Sequence, residues 1–138
     1  MPEVLQPGLR HTATLTVGTA HAVPAQAPLF GSDTEMPPVF ATAQMIAFVE
    51  WTCVTALAPF IEPRQRTVGT HVDMSHLAAT PIGMTVTADV ELIEVDIRRL
   101  RFRVSCRDEA DIIGEGFHER MIVDHDRFMS RLLRKSVR

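Results

Sequence analysis

The sequence predicts an α+β domain in which one long apolar helix is wrapped by an antiparallel sheet of about five strands, with a further helix at the carboxyl end. Three observations predict it. A nearly uninterrupted apolar stretch runs from Met36 to Ile61, several later segments alternate apolar and polar residues, and turn-forming residues separate them. The 138 residues suit one compact domain, taken as residues 1–138.

Arg10 to Val17 reads as a half-buried strand, with His11, Ala13, Leu15 and Val17 on one face and threonines on the other. The loop from Pro24 to Pro38 is long for a mere connection, which suggests a cover over a site. Pro37 and Pro38 mark the start of the main helix, roughly Val39 to Pro59. Apolar residues go nearly all round that helix, so it is expected to be buried on every side. Its only formal charge is Glu50, while Thr42, Gln44, Thr52 and Thr55 interrupt it, so it reads as a core helix rather than a bilayer span.

Strands are expected at Thr67 to His76, Met84 to Val95, Arg98 to Arg107 and Ile112 to Val123. In the second of these the apolar parity switches between Leu92 and Ile93, as one inserted bulge residue would cause. Leu100, Phe102, Val104 and Cys106 form an apolar face opposite Arg99, Arg101 and Arg103, which should meet solvent or a subunit. Gly114, Gly116, His118 and Arg120 share a face of the last strand, where glycine permits a helix or ligand to approach the backbone. Asp124 is placed to cap a terminal helix with a solvated face of Arg127, Arg131, Arg134 and Lys135.

Composition narrows the function classes. A net charge of -3 gives no overall cationic field for a nucleic-acid backbone. Cys53 and Cys106 sit far apart in apolar segments and read as buried thiols, which fits a reducing, cytoplasmic setting. Met1 to Arg10 lacks the basic and apolar regions of a secretory signal. Neither a membrane nor nucleic acid is an expected partner.

The chemistry centres on Glu50, because a carboxylate among Phe48, Val49, Trp51 and Cys53 needs compensation if it is buried. A structural hydrogen bond is one reading; a general base or nucleophile is the other. Thr42 lies in the first turn of the same helix, about 12 Å along the axis and roughly 80° round from Glu50, too far for contact. Thr42 is either a local partner of backbone amides or one end of a bridge to Glu50 made by an imidazole from a neighbouring strand; His76 is the candidate for that bridge, or else an ordinary strand-end histidine. His71 points to the opposite face from His76 on a regular strand, so no metal site is expected. Gly69 is either a plain strand glycine or an amide placed against a ligand as an oxyanion donor. His118 and Arg120 form a surface ion pair with Glu115 or Glu119, or else supply a cation near a substrate. No glycine-rich phosphate loop, nucleophile elbow or zinc-spaced cysteine pair is present.

The segments Pro38-Val-Phe-Ala-Thr42, Glu50-Trp-Thr-Cys, Gly69-Thr, His76 with Ala78-Ala-Thr-Pro, and Gly116-Phe-His-Glu-Arg120, in this order, resemble the fluoroacetyl-CoA thioesterase family over roughly residues 37 to 125. The resemblance implies a hot-dog fold, a homodimer with two sites at the subunit interface, and acyl-CoA as substrate with no separate cofactor. It implies that Thr42, Glu50 and His76 are catalytic, that Gly69 contacts the acyl part and that Arg120 belongs to the site. In the family relative that rejects acetyl-CoA, a lid phenylalanine gates the pocket. Met36 stands at the matching position and Asp33 replaces another apolar lid residue, so a wider or different acyl range is expected, fluoroacetyl-CoA being one candidate.

The leading reading is hydrolysis of a short-chain acyl-CoA to free acid and CoA. A hot-dog enoyl-CoA hydratase or dehydratase would also use a histidine and an acid, and a non-catalytic acyl-CoA-binding protein would bind without releasing thiol.

Overall fold

A computed structural model describes residues 4–137. The first three residues, part of the amino-terminal segment read above as no secretory signal, and Arg138 lie outside it. Five strands form one antiparallel sheet: β1 (Arg10–Thr16), β2 (Gln65–His76), β3 (Thr85–Asp96), β4 (Arg99–Arg107) and β5 (Ile112–Asp124). Their order is β1-β3-β4-β5-β2, which leaves β1 and β2 as the edges. The long helix is α2 (Thr42–Leu57), and α3 (His125–Ser136) follows β5.

Alternation in the sequence sets the two faces of the sheet. Ala88, Val90 and Leu92 of β3 and Leu100, Phe102 and Val104 of β4 pack with Val49, Cys53, Ala56 and Leu57 of α2, while Val86 and Cys106 pack with Met45 near its start. The expected bulge is present: pairing of β3 with β4 shifts between Leu92 and Glu94, leaving Ile93 as the extra residue. On the outer face the β4 arginines form cross-strand ladders, Arg99 and Arg101 with Glu119, Arg103 with Glu91, and Arg107 with Asp89. Arg101 also stacks 4.4 Å from the Phe117 ring centre.

Both glycines foreseen on β5 serve close packing. A Cβ on Gly114 would come within 2.6 Å of the Met45 sulfur on α2, and one on Gly116 would lie 1.9 Å from the carbonyl oxygen of Asp73 on β2. The second neighbour is backbone and cannot yield. Gly116→Ala should therefore cost about 2–4 kcal/mol of stability, read as a lower midpoint in thermal or urea unfolding. A midpoint equal to that of the wild type would contradict this account.

Two expectations change. The stretch before α2 is not a bare loop but a chain of short turns, a 3₁₀ turn at Thr19–His21, a single-turn α1 (Val23–Gln26) and a second 3₁₀ turn at Ala27–Phe30, followed by exposed residues 31–37. Proline at the start of turns and Gly31 in the left-handed conformation at their end account for this local order. The helix α2 is not enclosed on every side: Trp51 is 68% exposed, and Thr55 is exposed beside it. The sheet covers one side of the cylinder, and among the described residues no second layer covers the rest. Pro59 ends the helix as expected, and residues 58–60 continue as one 3₁₀ turn. Thr42–Phe60 is long and apolar enough to cross a membrane by composition alone, but Val49, Cys53 and Leu57 are packed in the core. Asp124 caps α3 through the Arg127 amide.

Candidate active site

Two polar clusters lie along α2, one at each end of the segment from Thr42 to Glu50. Thr42 is the first residue of the helix, and Ala41, which has no side-chain acceptor, occupies the cap position. The Thr42 hydroxyl is thereby free of capping and meets His76 Nδ1 at 2.7 Å. His76 ends β2, where the chain leaves the sheet and the Leu77 amide bonds the Ile113 carbonyl. The other ring nitrogen, Nε2, is buried and has no hydrogen-bond partner among the described residues. An imidazole tied at one nitrogen and unpaired at the other is disposed to exchange a proton with a group outside its own couple.

The second cluster is built around Arg120, which is 5% exposed. Its Nε donates to the Thr67 hydroxyl at 3.0 Å and its Nη2 to the Thr67 carbonyl at 2.9 Å. Its Nη1 faces both His118 Nε2 at 3.1 Å and Glu50 Oε2 at 3.4 Å. Burial lowers the Arg120 pKa, and the Glu50 charge opposes that shift. The guanidinium remains the cation of the site. Gly69 completes the group across the β2–β5 pair, in register with Arg120. A Cβ at Gly69 would sit 3.1 Å from Glu50 Oε2 and 3.4 Å from Arg120 Nη1, so glycine leaves the carboxylate its place.

The match to known proteins is as specific as the geometry. The family model for FlK, fluoroacetyl-CoA-specific thioesterase, matches residues 23–126. The fluoroacetyl-CoA thioesterase of Streptantibioticus cattleyicolor is 45% identical over 102 residues, 74% of this chain and 73% of that protein. The chain belongs to the fluoroacetyl-CoA-specific thioesterase family. A solved structure of the fluoroacetyl-CoA thioesterase FlK superposes with a TM-score of 0.89 at 39% identity, covering 96% of this chain and 98% of that one. A Thermus thermophilus member of the thioesterase superfamily, 23% identical, shares the fold with a TM-score of 0.83 over 99% of this chain and 96% of that one. The five-stranded sheet with its central helix is the hot-dog fold, and membership of the family makes the chain a thioester hydrolase.

Within this thioesterase the site residues expected from sequence fall into place unevenly. Thr42 joins His76, and Glu50 joins Gly69 and Arg120, but His76 does not bridge Thr42 to Glu50. Nor is Glu50 sunk in apolar surroundings, since 37% of its side chain is exposed. Its apolar sequence neighbours point elsewhere round the helix: Val49 and Cys53 to the core, Trp51 to solvent. His118 and Arg120 make no surface ion pair, for Glu119 is taken by the β4 arginines and Arg120 turns inward to Glu50.

Sequence reasoning missed Thr67 altogether. The signal was its pairing across β2 and β5, which single-strand alternation does not reveal. Met36 lies in the exposed segment before α2 and is 43% exposed. Burial pushes the Cys53 and Cys106 thiols up to about 12, so neither is a ready thiolate nucleophile. Both are free and buried, as expected. Among the described residues no group of three His, Cys, Asp or Glu side chains is placed to hold a metal.

Proposed function

We propose that this thioesterase hydrolyses a short-chain acyl-CoA to free acid and CoA at sites shared by two protomers, with Glu50, His76 and Thr42 as catalytic residues. The observation that carries the reading is the separation of the two clusters. Thr42 and Glu50 are about 12 Å apart along α2, and Gly69 and His76 are roughly 20 Å apart along β2. No single thioester carbon can touch both clusters of one chain, yet each cluster lacks what the other has. Among the described residues Glu50 has the Arg120 cation beside it but no imidazole N–H left over for a leaving thiolate, and the Thr42–His76 couple has an unpaired ring nitrogen but no carboxylate.

A two-fold dimer resolves the mismatch. The outer edge of β2 is unpaired in the sheet, and an exposed edge of twelve residues is an open template for another strand. Antiparallel pairing of two β2 strands about a point midway between residues 69 and 76 sets Gly69 of each protomer opposite His76 of its partner. Glu50 then faces the partner's Thr42–His76 couple. The same contact supplies cover for Trp51, Val72 and Leu77, which are exposed in the single chain.

In such a site Glu50, with Arg120 beside it, attacks the thioester carbonyl to give a mixed anhydride that water then hydrolyses, or deprotonates the water that attacks the carbonyl directly. The Gly69 amide is a donor for the developing oxyanion, and His76, steadied by Thr42, passes a proton to the departing CoA thiolate. No separate cofactor is required by this chemistry. With the segment before α2 as cover, Met36 would give a flexible apolar wall, which favours a broader acyl range than an aromatic gate would. A cytoplasmic setting suits both the acyl-CoA substrate and the free thiols.

The test is thiol release from a panel of acyl-CoAs, including acetyl, fluoroacetyl and longer chains, alongside crotonyl-CoA followed for loss of conjugation. Thiol release from at least one short acyl-CoA is expected, with crotonyl-CoA keeping its double bond. Loss of conjugation without thiol release, or binding with neither, would overturn the proposal.

A further inference from the structure

We propose that His118 is a positioning residue for the Glu50–Arg120 pair and works only as the neutral imidazole, so that its protonation disarms the site on the acid side. The inference rests on the reading of Glu50 and Arg120 as the acyl-cleaving half of the site. Chemistry fixes the directions of the two hydrogen bonds that His118 makes.

His118 is 1% exposed, on the face of β5 that carries Arg120. Its Nδ1 lies 2.8 Å from the His71 carbonyl oxygen, which can only accept, so Nδ1 carries the proton. Its Nε2 lies 3.1 Å from Arg120 Nη1, which can only donate, so Nε2 holds a lone pair. Two independent neighbours thus demand the same neutral tautomer. A bond from a guanidinium to an imidazole lone pair is lost outright if that nitrogen is protonated.

Its consequence for Glu50 follows from the guanidinium fork. Thr67 holds Nε and Nη2 through its hydroxyl and carbonyl, which anchors one side of the plane. Nη1 has two hydrogens, and its neighbours are His118 Nε2 and Glu50 Oε2. With one hydrogen directed to His118, the other is left to aim at the carboxylate. Protonation of His118 would set N–H against N–H between two cations, and the Nη1 end of the fork would have to swing away. Glu50 would lose its fixed partner while Thr67 kept the arginine in the sheet.

The surroundings of His118 oppose the charged form. Burial lowers its pKa from 6.5, and Arg120 beside it on β5 and His71 on β2 act in the same direction, whereas the His71 carbonyl and Glu50 on α2 favour the cation. The lowering wins, so the neutral form prevails at neutral pH. Activity supported by this contact is present above 6.5 and is lost as pH falls through the lower folded value. Fold stability declines in the same direction over that window, because the unfolded chain takes up the proton first.

Three measurements test the proposal. In long-range ¹⁵N–¹H spectra of the wild type, His118 should show the Nδ1–H tautomer at neutral pH; an Nε2–H tautomer or an imidazolium would overturn it whether or not any acyl-CoA is cleaved. His118→Gln restores both an acceptor for Arg120 and a donor for the His71 carbonyl without a titrating ring. Its kcat should stay within about threefold of wild type at alkaline pH while the acid-side fall attributable to His118 disappears. An unchanged acid limb in this variant would overturn the proposal. His118→Phe, checked by thermal melting, should lower kcat by about 10–100-fold with KM changed little, and a folded phenylalanine variant with wild-type kcat would overturn it. If the phenylalanine variant fails to fold, the glutamine variant and the spectra decide the question. Absence of thiol release by the wild type would instead sink the thioesterase reading and leave the spectra to judge the tautomer.

Discussion

Glu50→Gln is expected to lower kcat for thioester hydrolysis by about 10²–10⁴-fold while leaving the fold intact. The substitution is nearly isosteric, and the amide oxygen of glutamine can still accept from Arg120 Nη1, now 3.4 Å from Glu50 Oε2. What disappears is the negative charge, and with it both routes of catalysis: a neutral amide neither attacks a thioester carbonyl nor takes a proton from water. Since 37% of the Glu50 side chain is exposed, loss of its charge leaves little of the carboxylate's own burial to rebalance, so thermal melts of variant and wild type should nearly coincide. Arg120, at 5% exposed, retains its two bonds to Thr67 and the one to His118. A single-turnover thiol-release assay with the best acyl-CoA of the panel gives the answer. Turnover within a few-fold of wild type in a folded variant would remove Glu50 from the mechanism.

The contrast between fold and site in what the sequence disclosed has a physical origin. Burial alternation along β3 and β4 is a local property with period two, and even the bulge at Ile93 announced itself as a parity switch between Leu92 and Val95. Glycine at 114 and 116 likewise signalled close approach, and the neighbours are Met45 and the Asp73 carbonyl. The site depends on pairings between distant segments. That β2 lies beside β5, with Gly69 opposite Arg120, decides that Arg120 reaches Glu50 and Thr67 rather than a surface carboxylate. Composition around Glu50 could not disclose its exposure either, because a helix lying on one sheet buries Val49 and Cys53 and turns Trp51 outward, whatever the hydropathy of the whole stretch. The near-continuous apolar character of α2 then carries information of another kind: it exceeds what one sheet covers, and that surplus is what the proposed second protomer would cover.

That surplus leads to a sharper expectation for the dimer. If each site joins Glu50 of one protomer to the Thr42–His76 couple of the other, two inactive variants should restore one another. Glu50→Ala protomers keep a sound histidine couple, and His76→Ala protomers keep a sound carboxylate. In a mixed dimer one of the two interfacial sites receives both defects and the other receives neither. Random reassembly of equal amounts makes about half of the dimers mixed, each with one working site of two, so about a quarter of wild-type activity should return. Were all three residues to act within one chain, every site in the mixture would carry one defect and nothing would be regained. Co-expression of the two variants under separate tags, isolation of the doubly tagged dimer and measurement of thiol release decide between the arrangements. The doubly tagged species itself should show about half the wild-type rate per dimer, with KM unchanged because its intact site has every residue of the original. A doubly tagged dimer no more active than either parent would rule out the shared site. The spacing along α2 and β2 would then require a large rearrangement within one chain to bring Glu50 and His76 onto the same carbonyl.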